Sequence, residues 1–149
     1  MAIARGAGTE IIRNAYFAVM DSTEQALIVG VQHHIYTVLN ITIHCRALQA
    51  TTNRMVLAIN PGWDAKAGAS GTIRLLDENI PAQNTFVWSD KFSFNGTMPT
   101  GISGAMNTVA EQDAIADQGS ATAQLLTATS THADDNFVIG ITYIDQNNA

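Results

Sequence analysis

The sequence predicts an all-β chain: an antiparallel two-sheet sandwich, jelly-roll-like, with about eight strands and one long Ala/Thr-rich insertion. Three observations carry this. Apolar and polar residues alternate over 34–45 and again over 136–145, as in a strand with one buried face. Turn chemistry punctuates the chain at Asn60-Pro61-Gly62 and Asn95-Gly96. No helical pattern of ~10–15 residues separates the strands, which disfavours a parallel α/β sheet.

Residues 1–9 are small and glycine-rich without periodicity, and are expected to form a flexible arm ahead of a sandwich domain over 10–149. Residues 10–20 (EIIRNAYFAVM) and 26–31 are apolar strand candidates. The clearest strand is 34–45, whose odd positions Ile35, Thr37, Leu39, Ile41, Ile43 and Cys45 are expected to share the buried face. Strands at 54–59 and 72–76 follow. Over 85–94, Phe86, Trp88, Phe92 and Phe94 share parity, an aromatic stripe suited to core filling. The last strand, 136–145, puts Phe137, Ile139, Ile141 and Tyr143 on one face. The expected core is Phe86, Trp88, Phe92, Phe137, Ile139 and Ile141, with Leu39, Ile41 and Ile43 across from them. Residues 97–135 are rich in Ala, Thr, Ser and Gly and read as an inserted excursion, with a helix possible at 107–118 and a strand possible at 121–131.

Composition limits function more than it defines it. The chain has 149 residues, and only 13% of them are charged, about half the usual ~25%. Uncharged polar residues take their place: 16 Thr, 11 Asn, 8 Gln and 7 Ser, beside 22 Ala. Such a surface suggests extensive contact with other protein. A net charge of −6, with seven scattered cations, argues against nucleic-acid binding, which needs clustered Lys and Arg. No apolar run reaches the ~18 residues of a membrane span, and the N-terminal residues lack a hydrophobic signal core.

Motifs for chemistry are missing, and the chain is expected not to be an enzyme and to hold no cofactor or metal. There is no G-x-S-x-G elbow and no phosphate-binding glycine loop. Cys45 is the only cysteine and sits on the apolar parity of its strand, as a small buried hydrophobe. His33 and His34 are strand neighbours that face opposite ways. His34 and His44 are ten positions apart, roughly 33 Å at ~3.3 Å per residue. Asp134-Asp135 stands before a strong strand, where turn chemistry explains it.

Three segments carry a resemblance: HHIYTVLNITIHCRALQATTNRMVLAI at 33–59, IPAQNTFVWSDKFSFNG at 80–96, and NFVIGITYID at 136–145. Their order resembles the small β-sandwich structural proteins of tailed-bacteriophage virions, of the capsid decoration or cement type. The 97–135 excursion departs from that pattern, where a short loop would stand. The resemblance implies a homo-oligomer, with a trimer as the expected form, bound to the major capsid protein on the outer capsid surface after synthesis in the host cytoplasm. Partner contacts are expected at Ile3 and Arg5 in the arm, at Trp63 after the Pro-Gly turn, and at Leu125 and Leu126. The alternative within the same architecture is a tail, head-fibre or receptor-binding module that stacks exposed aromatics, Trp63 first, on carbohydrate.

Overall fold

A computed structural model describes residues 10–18, 22–60, 71–97, 108–109 and 122–147. Among these are nine strands: β1 (Glu10–Phe17), β2 (Gln25–Val29), β3 (His34–Ala47), β4 (Met55–Asn60), β5 (Ile73–Glu78), β6 (Thr85–Trp88), β7 (Phe92–Asn95), β8 (Leu125–Ser130) and β9 (Asn136–Asn147). They form two antiparallel sheets. Sheet A has the order β1-β9-β3-β6, with β7 also on β3, and sheet B the order β2-β8-β4-β5. Counting β6 and β7 as one interrupted edge strand, this is the eight-strand jelly-roll order.

The interruption has a local cause. β6 pairs with Ile41–His44 of β3, and β7 with Ile35–Val38 of the same strand. Between them Ser89, Asp90 and Lys91 leave the ladder, and the Trp88 indole N–H donates to the Asp90 carbonyl at 2.7 Å. At the same level β3 carries a bulge, where its register against β9 shifts between Val38 and Asn40. An extra residue in one strand exchanges its two faces beyond that point. The constant odd parity expected along β3 therefore fails: Tyr36 and Val38 are buried, then Ile41, Ile43 and Cys45, while Ile35, Thr37 and Leu39 are only half-buried. The aromatic stripe keeps its own parity. Phe86, Trp88, Phe92 and Phe94 stand opposite Ile43, Ile41, Val38 and Tyr36, each a buried residue of β3.

The core lies between the sheets. Sheet A contributes Phe137, Ile139, Ile141, Ile41, Ile43 and Val38, and sheet B contributes Met55, Leu57, Leu126 and Leu27. Ile41 and Ile43 are thus ladder neighbours of Ile141 and Ile139 rather than residues facing them across the core. Phe86, Trp88 and Phe92 pack on its margin, partly buried.

The segment expected to be an excursion, 97–135, contains β8, an interior strand of sheet B held between β2 and β4. Ahead of β8, the backbone at 96–97 is clamped to that at 123–124. Thr97 bridges to Ala123, and the Gln124 N–H donates to the Gly96 carbonyl at 3.0 Å. The helix expected over 107–118 lies outside the described residues, apart from exposed Thr108 and Val109. The arm 1–9 lies outside them entirely.

Candidate functional site

Among the described residues four features carry polar chemistry, and the broadest is the outer face of sheet A. Its strands alternate, so the residues not used in the core form cross-strand rows on the outside. One row runs Ile12, Ile144, Thr37, Ser93; the next is Asn14, Thr142, Asn40; a third is Tyr16, Gly140, Thr42, Val87. Val138, His44 and Thr85 follow on one side, and Glu10, Gln146, Ile35 and Asn95 on the other. In these rows Glu10, at a corner, is the sole carboxylate, and there is no Lys or Arg. Neighbouring hydroxyls and amides satisfy each other: Thr142 donates to Asn14 Oδ1 at 2.8 Å, Thr42 to Asn40 Oδ1 at 3.2 Å, and a hydrogen bond of 2.9 Å joins the Thr37 and Ser93 hydroxyls. His44 Nδ1 stands 2.9 Å from the Thr85 hydroxyl. Gly140, near the middle, has open space where a Cβ would be. The result is a broad, uncharged surface tied together by its own hydrogen bonds.

The outer face of sheet B differs. A groove of about 310 Å³ has Thr127, Thr129 and Thr131 on its floor, Glu24 on one rim and Arg54 and Arg74 on the other. Both arginines are engaged by Asp77, at 3.1 Å and 2.9 Å. Asp77 answers one of the two positive charges and Glu24 on the opposite rim offsets the other, so the groove is a polar channel with no net charge.

At one end of sheet A, Asp145 accepts a bond from Arg13 Nε at 3.0 Å and lies 2.6 Å from His34 Nδ1. Tyr36 stacks between His34 and Phe94 and touches Tyr143. Burial, then the Asp145 charge, push the Tyr36 hydroxyl above its ordinary range. Its oxygen accepts the Val31 N–H at 3.2 Å. The cluster thus braces β1, β3 and β9 through Arg13, His34, Tyr36, Tyr143 and Asp145.

At the other end, Asp135 is buried and accepts bonds from the Gln49 N–H, Asn53 Nδ2 and Ser130 Oγ. Burial alone would raise its pKa. The bonds from Ser130, Gln49 and Asn53 outweigh that and hold the carboxyl below its usual range. One carboxylate thus ties the loop after β3 to the turn before β9, as the turn reading of Asp134-Asp135 expects. Cys45 beside it is fully buried, and burial, then the Asp135 charge, raise its thiol above the ordinary value. It is a packing residue and not a nucleophile.

Of the residues expected to touch a partner, Ile3, Arg5 and Trp63 lie outside the described residues. Leu125 is half-buried at the start of β8. Leu126 points the other way and is fully buried in the core, where no partner reaches it. Among the described residues no three His, Cys, Asp or Glu side chains converge into a metal-ligand set. Sequence reasoning missed the rows of sheet A as a unit because they combine residues from five strands. The alternating Thr and Asn of β3 and β9 were the available signal.

No family model matches the chain, and no curated protein matches it. Among solved structures it is similar to a chain from Bacillus endospore appendages, a novel family of disulfide-linked pili. That likeness has 9% identity and a TM-score of 0.48, covering 100% of this chain and 97% of the other. It is also similar to a chain of the acidic stable capsid of Helicobacter pylori bacteriophage KHP30. There the identity is 8% and the TM-score 0.39, over 92% of this chain and 88% of the other. With TM-scores this low, neither likeness says what the chain does.

Proposed function

We propose that this chain is a non-enzymatic structural protein of a tailed-phage virion. In this reading it decorates and cements the outer capsid surface, bound to the major capsid protein and to further copies of itself. The observation that carries the reading is the uncharged outer face of sheet A. Surfaces that face water are normally strewn with Lys, Glu, Arg and Asp. The central area of a protein interface is instead depleted of charge. The rows from Ile12 to Ser93 and from Tyr16 to Val87 follow the second pattern, and hydrogen bonds hold several of their side chains to one another. Side chains already held by one another lose little freedom on docking, which suits a shell, where each contact is repeated by symmetry.

The kind of partner comes from the sequence resemblance, since jelly rolls serve in capsids, lectins and enzymes alike. Counting the chain by quantitative mass spectrometry of purified virions tests the assignment. On the order of hundreds of copies per particle, the stoichiometry of a closed shell, supports surface decoration. A handful of copies would place it in a tail or fibre, and its absence from particles would overturn the virion reading.

A further inference from the structure

Sheet edges are templates for pairing with other chains, and proteins ordinarily blunt them with short strands, bulges, prolines or charges. Among the described residues the two sheets have four edges, and three of them are blunted. The β6/β7 edge is broken at Ser89-Asp90-Lys91 into two strands of four residues. β2 has five residues and a register shift between Ala26 and Ile28. Along β5, the register shifts at Leu57/Ala58 of its neighbour, and Arg74, Asp77 and Glu78 add charge. β1 is the exception, its two charged residues being Glu10 at one end and Arg13, which Asp145 engages. It runs eight residues in unbroken register against β9, has no proline, and its other side has no strand among the described residues. It also exposes large apolar side chains: Ile11 at 48%, Ile12 at 67% and Tyr16 at 65%.

From this we infer that β1 pairs antiparallel with β1 of a second copy, around a two-fold axis at Asn14. A two-fold normal to a sheet pairs residues of the same parity, so few registers are available. Centred on Asn14, the exposed Ile12 of each copy lies against the exposed Tyr16 of the other, and Ile11 lies against Phe17. All residues from 11 to 17 are then paired. Arg13 stands opposite Ala15, and its charge is already met by Asp145 at 3.0 Å. A register centred on Arg13 would set two guanidinium groups against each other. Within β1 a register centred on Ile12 pairs only residues 10–14 and one centred on Ala15 only residues 13–17, so the Asn14 register joins more of the strand. The favoured pairing joins two copies of sheet A into one continuous sheet, with both outer faces on the same side.

The inference concerns free protein in solution and stands apart from the capsid reading. Asn14→Cys provides the test, because a residue on the axis meets itself across the pair. Directly opposed Cα atoms in an antiparallel pair lie about 4.5 or 5.5 Å apart, inside the disulfide range of about 4.4–6.8 Å. Cys45, fully buried, takes no part. The 149-residue chain should sediment at about twice its 15.9 kDa mass. Mild oxidation of Asn14→Cys should convert most of it to a covalent dimer, whereas Glu10→Cys should cross-link at least tenfold less. Ile12→Lys, at an exposed position, should sediment as a monomer with an unchanged circular-dichroism spectrum. A wild-type monomer, a trimer, or a dimer that neither cross-links through residue 14 nor splits on Ile12→Lys would overturn the inference.

Discussion

Gly30 and Gly96 meet backbone to backbone where the two sheets close at one end. A Cβ on Gly30 would lie 2.0 Å from the Gly96 carbonyl oxygen, and one on Gly96 would lie 1.7 Å from the Val31 carbonyl oxygen. Around this contact run three backbone bonds: Gly96 N–H to His34, Gln124 N–H to Gly96, and Gly30 N–H to Gln124. They join β2, β3 and β7 to the residue that leads into β8. The clamp also fixes both ends of the segment between Thr97 and Ala123.

Replacing Gly96 by alanine should therefore be costly, since the neighbouring atoms are backbone and cannot rotate away. Overpacking in a closed site costs about 1–3 kcal/mol, and Gly96→Ala should fall at or above the upper end. Gly140→Ala, with nothing near its Cβ position, should change stability by less than about 0.5 kcal/mol. Urea midpoints of the two variants, compared at equal m-value, check the contrast.

In the core, Phe137 is fully buried while Phe92 sits at the margin. Phe137→Ala should cost about 3–5 kcal/mol, the range for removing a buried aromatic ring. Phe92→Ala should cost about half as much, because water already reaches part of its surface. Equal losses in thermal unfolding would show that the aromatic edge is packed as tightly as the centre.

The two aromatics also show how far the sequence could be read. Period-two alternation placed β3 and β9, and the shared parity of Phe86, Trp88, Phe92 and Phe94 correctly put all four on the inner face. Alternation alone could not reveal the bulge at Leu39. A single extra residue changes which of Thr37 and Val38 is buried without altering composition or turn chemistry. The outer face of sheet A was legible only as an excess of Thr, Asn and Gln. Its assembly into rows needs the β1-β9-β3 strand order, which is set by pairings far apart in the sequence, from Ala47 with Asn136 to Glu10 with Gln146. Leu126 illustrates the same limit. The strand around it was anticipated, yet which of Leu125 and Leu126 faces the core depends on the register with β4.

Asp135 makes stability depend on acid. Its carboxyl titrates lower in the folded chain than in the unfolded one, where the ordinary value is about 3.9. Its contribution is therefore complete above about pH 4 and is lost as the pH falls through the folded value. Asp135→Ala should cost about 3 kcal/mol at neutral pH, because Ser130, Asn53 and the Gln49 N–H lose a buried acceptor. The same substitution should flatten the fall in melting temperature below pH 4. An unchanged acid profile would assign that sensitivity to other carboxylates.

The outer face of sheet A is the centre of the functional account, and Gly140 offers the cleanest probe of it. Gly140→Lys places one charge in the middle of the face with no steric conflict for its Cβ, so the melting temperature of the free protein should stay within about two degrees of the parent, as expected for a surface change. The decisive measurement is the occupancy of this variant on capsids stripped of the protein, beside Ala133→Lys in an exposed turn. The account predicts at least a tenfold loss for Gly140→Lys and none for Ala133→Lys. Equal occupancy of both variants and the parent would contradict it.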